Sequence, residues 1–158
     1  MAIERPGTCS VGNAMAILGE RWTMLILREA FYGVRRFTEP QRNLGIARNI
    51  LSARLQMLVR AGILERRLYQ EDPERFEYRL TQAGHDLYPV VVAIMRWGDK
   101  HLSGNDGPPV VLRHTCGHDA SPVLTCSGCG EELRARDVTP ELGPGAHRDA
   151  AERPLTAA

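Results

Sequence analysis

The sequence predicts a mainly α fold that carries one small β-hairpin and is followed by a second, cysteine-bearing hairpin. Three observations predict it. Apolar residues recur at the helical period through the first sixty residues and again from Gln82 to Leu102. Two β-prone runs around a polar turn lie between those stretches. The segment SGNDGPP, Ser103 to Pro109, reads as a linker to a tail that holds Cys116, Cys126 and Cys129. The organisation expected is one domain over 9–102, a linker over 103–109, a hairpin unit over 110–138 and an extended or disordered tail over 139–158.

The opening helices are scaffold. Val11, Met15 and Leu18, then Trp22, Leu25, Ile26 and Leu27, bring apolar groups to helical faces, and Gly19 separates the two helices. Trp22 and Phe37 are read as core packing rather than as platforms for stacking on bases.

From Arg36 to Gly62 the pattern sharpens. Thr38 with Gln41 fits a capping box, and Pro40 falls in the first helical turn, where its missing N–H costs nothing. A short helix over Glu39 to Leu44 follows. Gly45 can turn with positive φ, and apolar positions resume at Ile46, Ile50, Leu51, Leu55, Leu58 and Val59 until Gly62 stops the helix. Two helices joined by a tight glycine turn have the layout of a helix-turn-helix. The second helix carries Arg48, Asn49, Ser52 and Arg54 near its start. Arg and Asn can pair bidentately with guanine and adenine edges, and Ser commonly contacts phosphate.

Behind that helix, Ile63 to Tyr69 is an extended run with Arg66 and Arg67, Gln70 to Arg75 is a polar turn with Pro73, and Phe76 to Thr81 alternates again. A hairpin directly after a reading helix is a wing, so the predicted domain is a winged helix-turn-helix. Its candidate DNA-binding residues are Arg36, Arg48, Asn49, Ser52, Arg54, Arg66, Arg67 and Arg75. Thr81 is then a candidate N-cap for Gln82 to Leu102. Leu87, Val90, Val91, Ile94, Met95 and Trp97 make that segment too apolar to face solvent, and Pro89 kinks or restarts it. Its expected partner is the same helix of a second subunit. A two-fold homodimer would set two reading helices about 34 to 36 Å apart, one turn of DNA.

Charge agrees with this reading once its distribution is considered. The net charge is only +1, yet residues 1–100 carry 15 basic and 11 acidic side chains, against 5 and 8 in residues 101–158. Eight arginines stand between Arg35 and Arg67 with only Glu39 and Glu65, which places the positive field on the proposed reading head. With 158 residues, 43% of them hydrophobic, the chain can bury one core and a small appendage. It has no run of 18 apolar residues and no apolar leader in MAIERPGTCS, so a cytoplasmic protein that does not enter a membrane is expected.

Several motifs together resemble a known family. They are CSVGNAMAILGERW from Cys9 to Trp22, ILREAFYGVRRF from Ile26 to Phe37, LSARLQMLVRAGILER from Leu51 to Arg66, YRLTQAG from Tyr78 to Gly84, and Trp97 with Gly98. In this order they resemble the HxlR-type branch of the MarR-like winged-helix transcription regulators, over about three-fifths of the chain. The resemblance implies a homodimeric, sequence-specific regulator of double-stranded DNA, usually acting on nearby genes, with no enzymatic activity. Ala47 departs from the family, which commonly has Ser there, and so lacks an oxygen that could cap the reading helix. In some relatives a Cys just ahead of the first helix senses oxidants or electrophiles. For Cys9 that role and a plain structural one both stay open.

The tail has its own chemistry. Cys126 and Cys129 form a CxxC followed by Gly130, a knuckle that aims two thiolates at one point. Cys116, also followed by Gly, is a third ligand. His114 and His118 compete for the fourth place, with His114 preferred because a ligand ahead of Cys-Gly copies the second knuckle. The tail is thus read as a zinc-ribbon-like hairpin holding a structural Zn2+, against a redox dithiol or unoccupied thiols. Among function classes, a sequence-specific DNA-binding regulator leads, and the alternative is a protein-interaction adaptor in which DNA binding is incidental. The chain shows no nucleophile motif or phosphate-cradling glycine loop, so no enzyme is expected, and no residue specifies an effector.

Overall fold

The computed structural model describes residues 9–144. They fall into two compact units, residues 11–107 and residues 108–144 together with 9–10. In the first, α1 (Ser10–Leu18), α2 (Arg21–Phe31), α3 (Thr38–Leu44) and α4 (Arg48–Arg60) precede the antiparallel pair β1 (Leu64–Gln70) and β2 (Arg75–Leu80). Two further helices follow, α5 (Gln82–His85) and α6 (Tyr88–Leu102).

The core is aliphatic and is shared by several elements. Leu18, Ile26, Leu27, Ile46, Leu51, Leu55, Leu58, Ile63 and Leu64 are all buried in one cluster. Leu51, Leu55 and Leu58 put one face of α4 into it, and each fully buried Leu contributes about 1.5–3 kcal/mol relative to exposure. Trp22 and Phe37 pack against this cluster, as expected of scaffold residues. Ile50 departs from the expected apolar face. It is 36% exposed, because it sits one position before Leu51 and so lies about 100° round the helix from it.

The α3–α4 connection turns at Gly45, with φ 63° and ψ 23°, and α4 ends at Gly62, with φ 70°. Both are left-handed conformations that favour glycine. The expected cap at Thr38 does not form. Phe37 already has helical dihedrals, so Thr38 lies inside α3, and the carboxylate of Glu39 instead accepts the N–H of Arg36 at 3.0 Å. Ala47 has the extended backbone of an N-cap residue but makes no side-chain hydrogen bond, so α4 starts uncapped by a side chain. Two polar side chains join α2 to α3: buried Glu29 accepts from Asn43 Nδ2 at 2.6 Å and from Arg28 Nη2 at 2.7 Å.

The hairpin pairs Leu64 with Leu80, Arg66 with Tyr78 and Leu68 with Phe76, with an irregularity between Leu68 and Gln70 near its tip. The α2–α3 loop braces it, since Tyr78 N donates to Arg35 O at 2.8 Å and Arg36 bridges to Glu77. Thr81 closes the base. Its hydroxyl donates to Gly62 O at 2.6 Å and accepts from Gly84 N at 3.2 Å, capping α5 as its sequence position predicts.

The Gln82–Leu102 segment is broken rather than continuous. Asp86 and Leu87 separate α5 from α6, which restarts with Pro89 in its first turn, where proline is tolerated. Val92 is buried and Leu87 and Val91 pack on the core, whereas Val90, Ile94, Trp97 and Leu102 are exposed, Trp97 by 60%. Among the described residues no helix is long and apolar enough to cross a membrane.

In the second unit, residues 112–120 and 124–133 form two short hairpins. Each is closed by one isolated bridge, Arg113 with Asp119 and Thr125 with Glu132. The sequence leads to one zinc-ribbon-like hairpin over 110–138, whereas these residues pair as two separate hairpins of one bridge each. A single 3-10 turn, Ala135–Asp137, follows. Residues 139–143 have no regular structure and 144 is in a turn, and the rest of the expected tail, 145–158, lies outside the described residues.

Candidate nucleic-acid interface

Between α4 and the hairpin runs a groove of about 470 Å³, lined by Phe37, Arg48, Ser52, Gln56, Val59, Arg60, Arg66 and Tyr78. Its geometry follows from two periodicities. Arg48, Ser52, Gln56 and Arg60 recur every four residues and so form one ridge of α4. Successive strand residues point to opposite faces, so Arg66 and Arg67 cannot both face that ridge. Three guanidinium groups line the groove and no carboxylate does, which makes it a concave anion-attracting surface.

The expected residues do not all stand together. Arg48 lies at the start of α4 with its guanidinium 5.8 Å from the Phe37 ring centre. Asn49 is exposed beside it, and Ser52 accepts from Gln56 Nε2 at 3.4 Å. Arg66 stacks 3.4 Å from the centre of Phe76 and enters the groove. Arg67 lies on the other hairpin face, 3.8 Å from Glu65 and within a smaller pocket that also takes in Arg35, Arg79 and His85. Arg36 covers Tyr69 at 5.0 Å, next to the hairpin, and Arg75 opens β2 at its exposed end. Arg54 is held inward, with Nε 3.2 Å from Glu20 Oε2. Gln56 and Arg60 were not among the expected site residues, although the repeat of four that runs from Arg48 through Ser52 to Gln56 and Arg60 carried the signal.

In the second unit Cys116 lies between two imidazoles, with Sγ 3.0 Å from His114 Nδ1 and 3.6 Å from His118 Nδ1. Cys126 Sγ accepts the N–H of Gly128 at 3.4 Å. The N–H of Cys129, the N–H of Gly128 and the Cys129 thiol, in that order, hold the Cys126 thiol below its ordinary pKa by stabilising the thiolate. Among the described residues no three His, Cys, Asp or Glu side chains gather in a group that could hold a metal. Cys9 is exposed immediately before α1.

A helix pair turned by Gly45, a braced two-stranded wing and a cationic groove between them define a winged helix-turn-helix protein of the transcription-regulator class. The chain matches the HxlR-like helix-turn-helix family over residues 17–106, more than half its length, and belongs to that family. It is 60% identical over 137 residues to the HTH-type transcriptional regulator Rv3095 of Mycobacterium tuberculosis, covering 86% of this chain and 87% of that protein. Among solved structures it is similar to PA1607, described as a transcription factor, with a TM-score of 0.76 and 38% identity over 84% of this chain and 94% of that one. It is also similar to the reduced form of the redox regulator HypR, with a TM-score of 0.55 and 29% identity over 58% of this chain and 92% of that one. These comparisons favour a transcriptional regulator over an adaptor. The likeness to Rv3095 runs well beyond the family-matched residues.

Proposed function

We propose that this chain regulates transcription by binding double-stranded DNA sequence-specifically, as a homodimer on an inverted-repeat operator in the cytoplasm. The observation that carries the reading is the groove in which Arg48, Arg60 and Arg66 converge without a carboxylate. With α4 in the major groove, Arg48 and Asn49 read base edges, while Ser52, Arg66 and the wing-tip Arg75 hold phosphates. Arg54, engaged by Glu20, supports α4 from behind.

The homodimer reading rests on α6. Val90, Ile94 and Trp97 recur at spacings of four and three, so they share one face, and all are exposed. A second copy of that face is the partner that its composition fits, and two-fold pairing gives the operator its symmetry. Light scattering at micromolar concentration tests the pairing. The wild type is expected at twice the mass of one chain and Ile94→Asp at the mass of one; a monomeric wild type overturns the homodimer.

A redox response through Cys9 is a second reading, favoured by the exposure of that thiol and the likeness to HypR. Oxidant is then expected to change the DNA affinity of the wild type and not of Cys9→Ser. An unchanged wild type removes the reading.

A further inference from the structure

Cys126 and Cys129 begin and end the turn Cys126–Ser127–Gly128–Cys129 at the tip of the second hairpin of the 108–144 unit. Backbone hydrogen bonds fix that turn. Gly130 N donates to Cys126 O and Cys126 N to Glu131 O, both at 2.8 Å, and Leu133 N donates to Leu124 O at 2.8 Å below them. The first of these is the bond of a single helical turn, so positions three apart lie on one side of it. Gly130 then reverses the chain with φ 78°.

The two thiols are therefore neighbours. Cys126 Sγ receives the N–H of Gly128 at 3.4 Å, the N–H of Cys129 and the Cys129 thiol itself. No disulfide joins them. Closing one needs Cα atoms about 4.4–6.8 Å apart, a span that one helical turn covers. Solutes reach the pair, since Cys129 is exposed, Cys126 is half-buried and no residue from 108 to 144 is buried.

We propose that Cys126 and Cys129 form a reversible redox couple that hydroperoxides oxidise, a reactive site distinct from Cys9 and independent of DNA binding. Cys126 Sγ attacks one peroxide oxygen, the O–O bond breaks, and the other oxygen takes the thiol proton and leaves as water or an alcohol. Cys126 is then a sulfenic acid. Cys129 Sγ attacks that sulfur, the hydroxyl leaves with the Cys129 proton as water, and an S–S bond closes across the turn. Two electrons have passed from the two sulfurs to the peroxide. The order of attack follows from the contacts: the N–H groups aimed at Cys126 Sγ stabilise negative charge on that sulfur, and Cys129 is the exposed partner beside it. Because the second step is intramolecular, it outruns capture by a thiol from solution. A dithiol reductant reopens the bond through a mixed disulfide.

Intact mass and peptide mapping of the untagged full chain test the couple. Reduced wild type given one equivalent of hydrogen peroxide is expected to lose about 2 Da, to show Cys126 joined to Cys129, and to regain the mass with dithiothreitol. Cys129→Ser is expected to stop at the sulfenic acid, labelled by dimedone on Cys126, whereas Cys126→Ser leaves Cys129 unlabelled. Helical circular dichroism serves as the control that α1–α6 stay folded in each variant. Iodoacetamide labelling of Cys126 and Cys129 that peroxide does not reduce overturns the couple. So does a disulfide from either residue to Cys116 or to a second chain, or a native mass in which the two thiols hold a metal ion. Dimedone on Cys129 of Cys126→Ser, equal to or above that on Cys126 of Cys129→Ser, overturns the order of attack.

Discussion

A single oxygen, Oε2 of Glu20, receives the N–H of Trp22 at 3.0 Å and lies 3.2 Å from Nε of Arg54. One carboxylate thus caps α2 and anchors the middle of α4. Glu20→Ala is expected to destabilise the fold by about 1–2 kcal/mol through the lost cap, and Arg54→Ala by about 0.5–1 kcal/mol, because both partners are one-third exposed. Urea unfolding checks both values. DNA affinity of Arg54→Ala is expected within about threefold of the wild type; a loss beyond tenfold with unchanged stability would return Arg54 to the DNA contacts.

Arg48→Ala is expected to change which duplexes bind. A bidentate contact to a guanine is worth about 1–3 kcal/mol of discrimination, so the variant should tolerate substitution at one operator position. Titration against single-position operator variants shows it. Equal weakening on every sequence would make Arg48 a phosphate contact.

Arg66 and Arg67 are adjacent in sequence and opposite in space. Arg66→Ala is expected to weaken binding to all sequences and to lower the salt slope by about 0.9 per lost phosphate contact, while Arg67→Ala has a smaller effect. Affinity measured from low to physiological salt separates them. The reverse order would put the other hairpin face on the DNA.

Much of the frame was legible because local physics fixes it. Gly45 and Gly62 mark left-handed turns, Thr81 a cap, and the Leu51–Leu55–Leu58 spacing a buried face, and each lies where its residue type demands. The rest is set by conformations and partners that appear only in the folded chain. Thr38 loses its cap because the chain enters α3 already helical at Phe37. Arg54 is drawn to Glu20, thirty-four positions away, which no local pattern announces. Gln56 and Arg60 join the site only once the wing is folded beside α4.

Gly84 is held to its identity by space. A Cβ there would run into the carbonyl oxygen of Ile63 and come within 2.9 Å of Leu80 Cδ2. Gly84→Ala is therefore expected to cost about 1–3 kcal/mol by forcing α5 off the base of the wing, read as a lower urea midpoint with helical content retained. Unchanged stability would mean that this junction yields freely.

The central claim is that α4 and the wing read one operator as a symmetric pair. Its most direct measurement retains fragmented DNA from the protein's own source on the purified full chain at about 0.15 M salt and sequences what stays bound. The account expects one enriched inverted repeat with half-sites about 10 base pairs apart, centre to centre, and loss of that enrichment in Arg48→Ala. Uniform retention of all fragments, or retention of none, would contradict it.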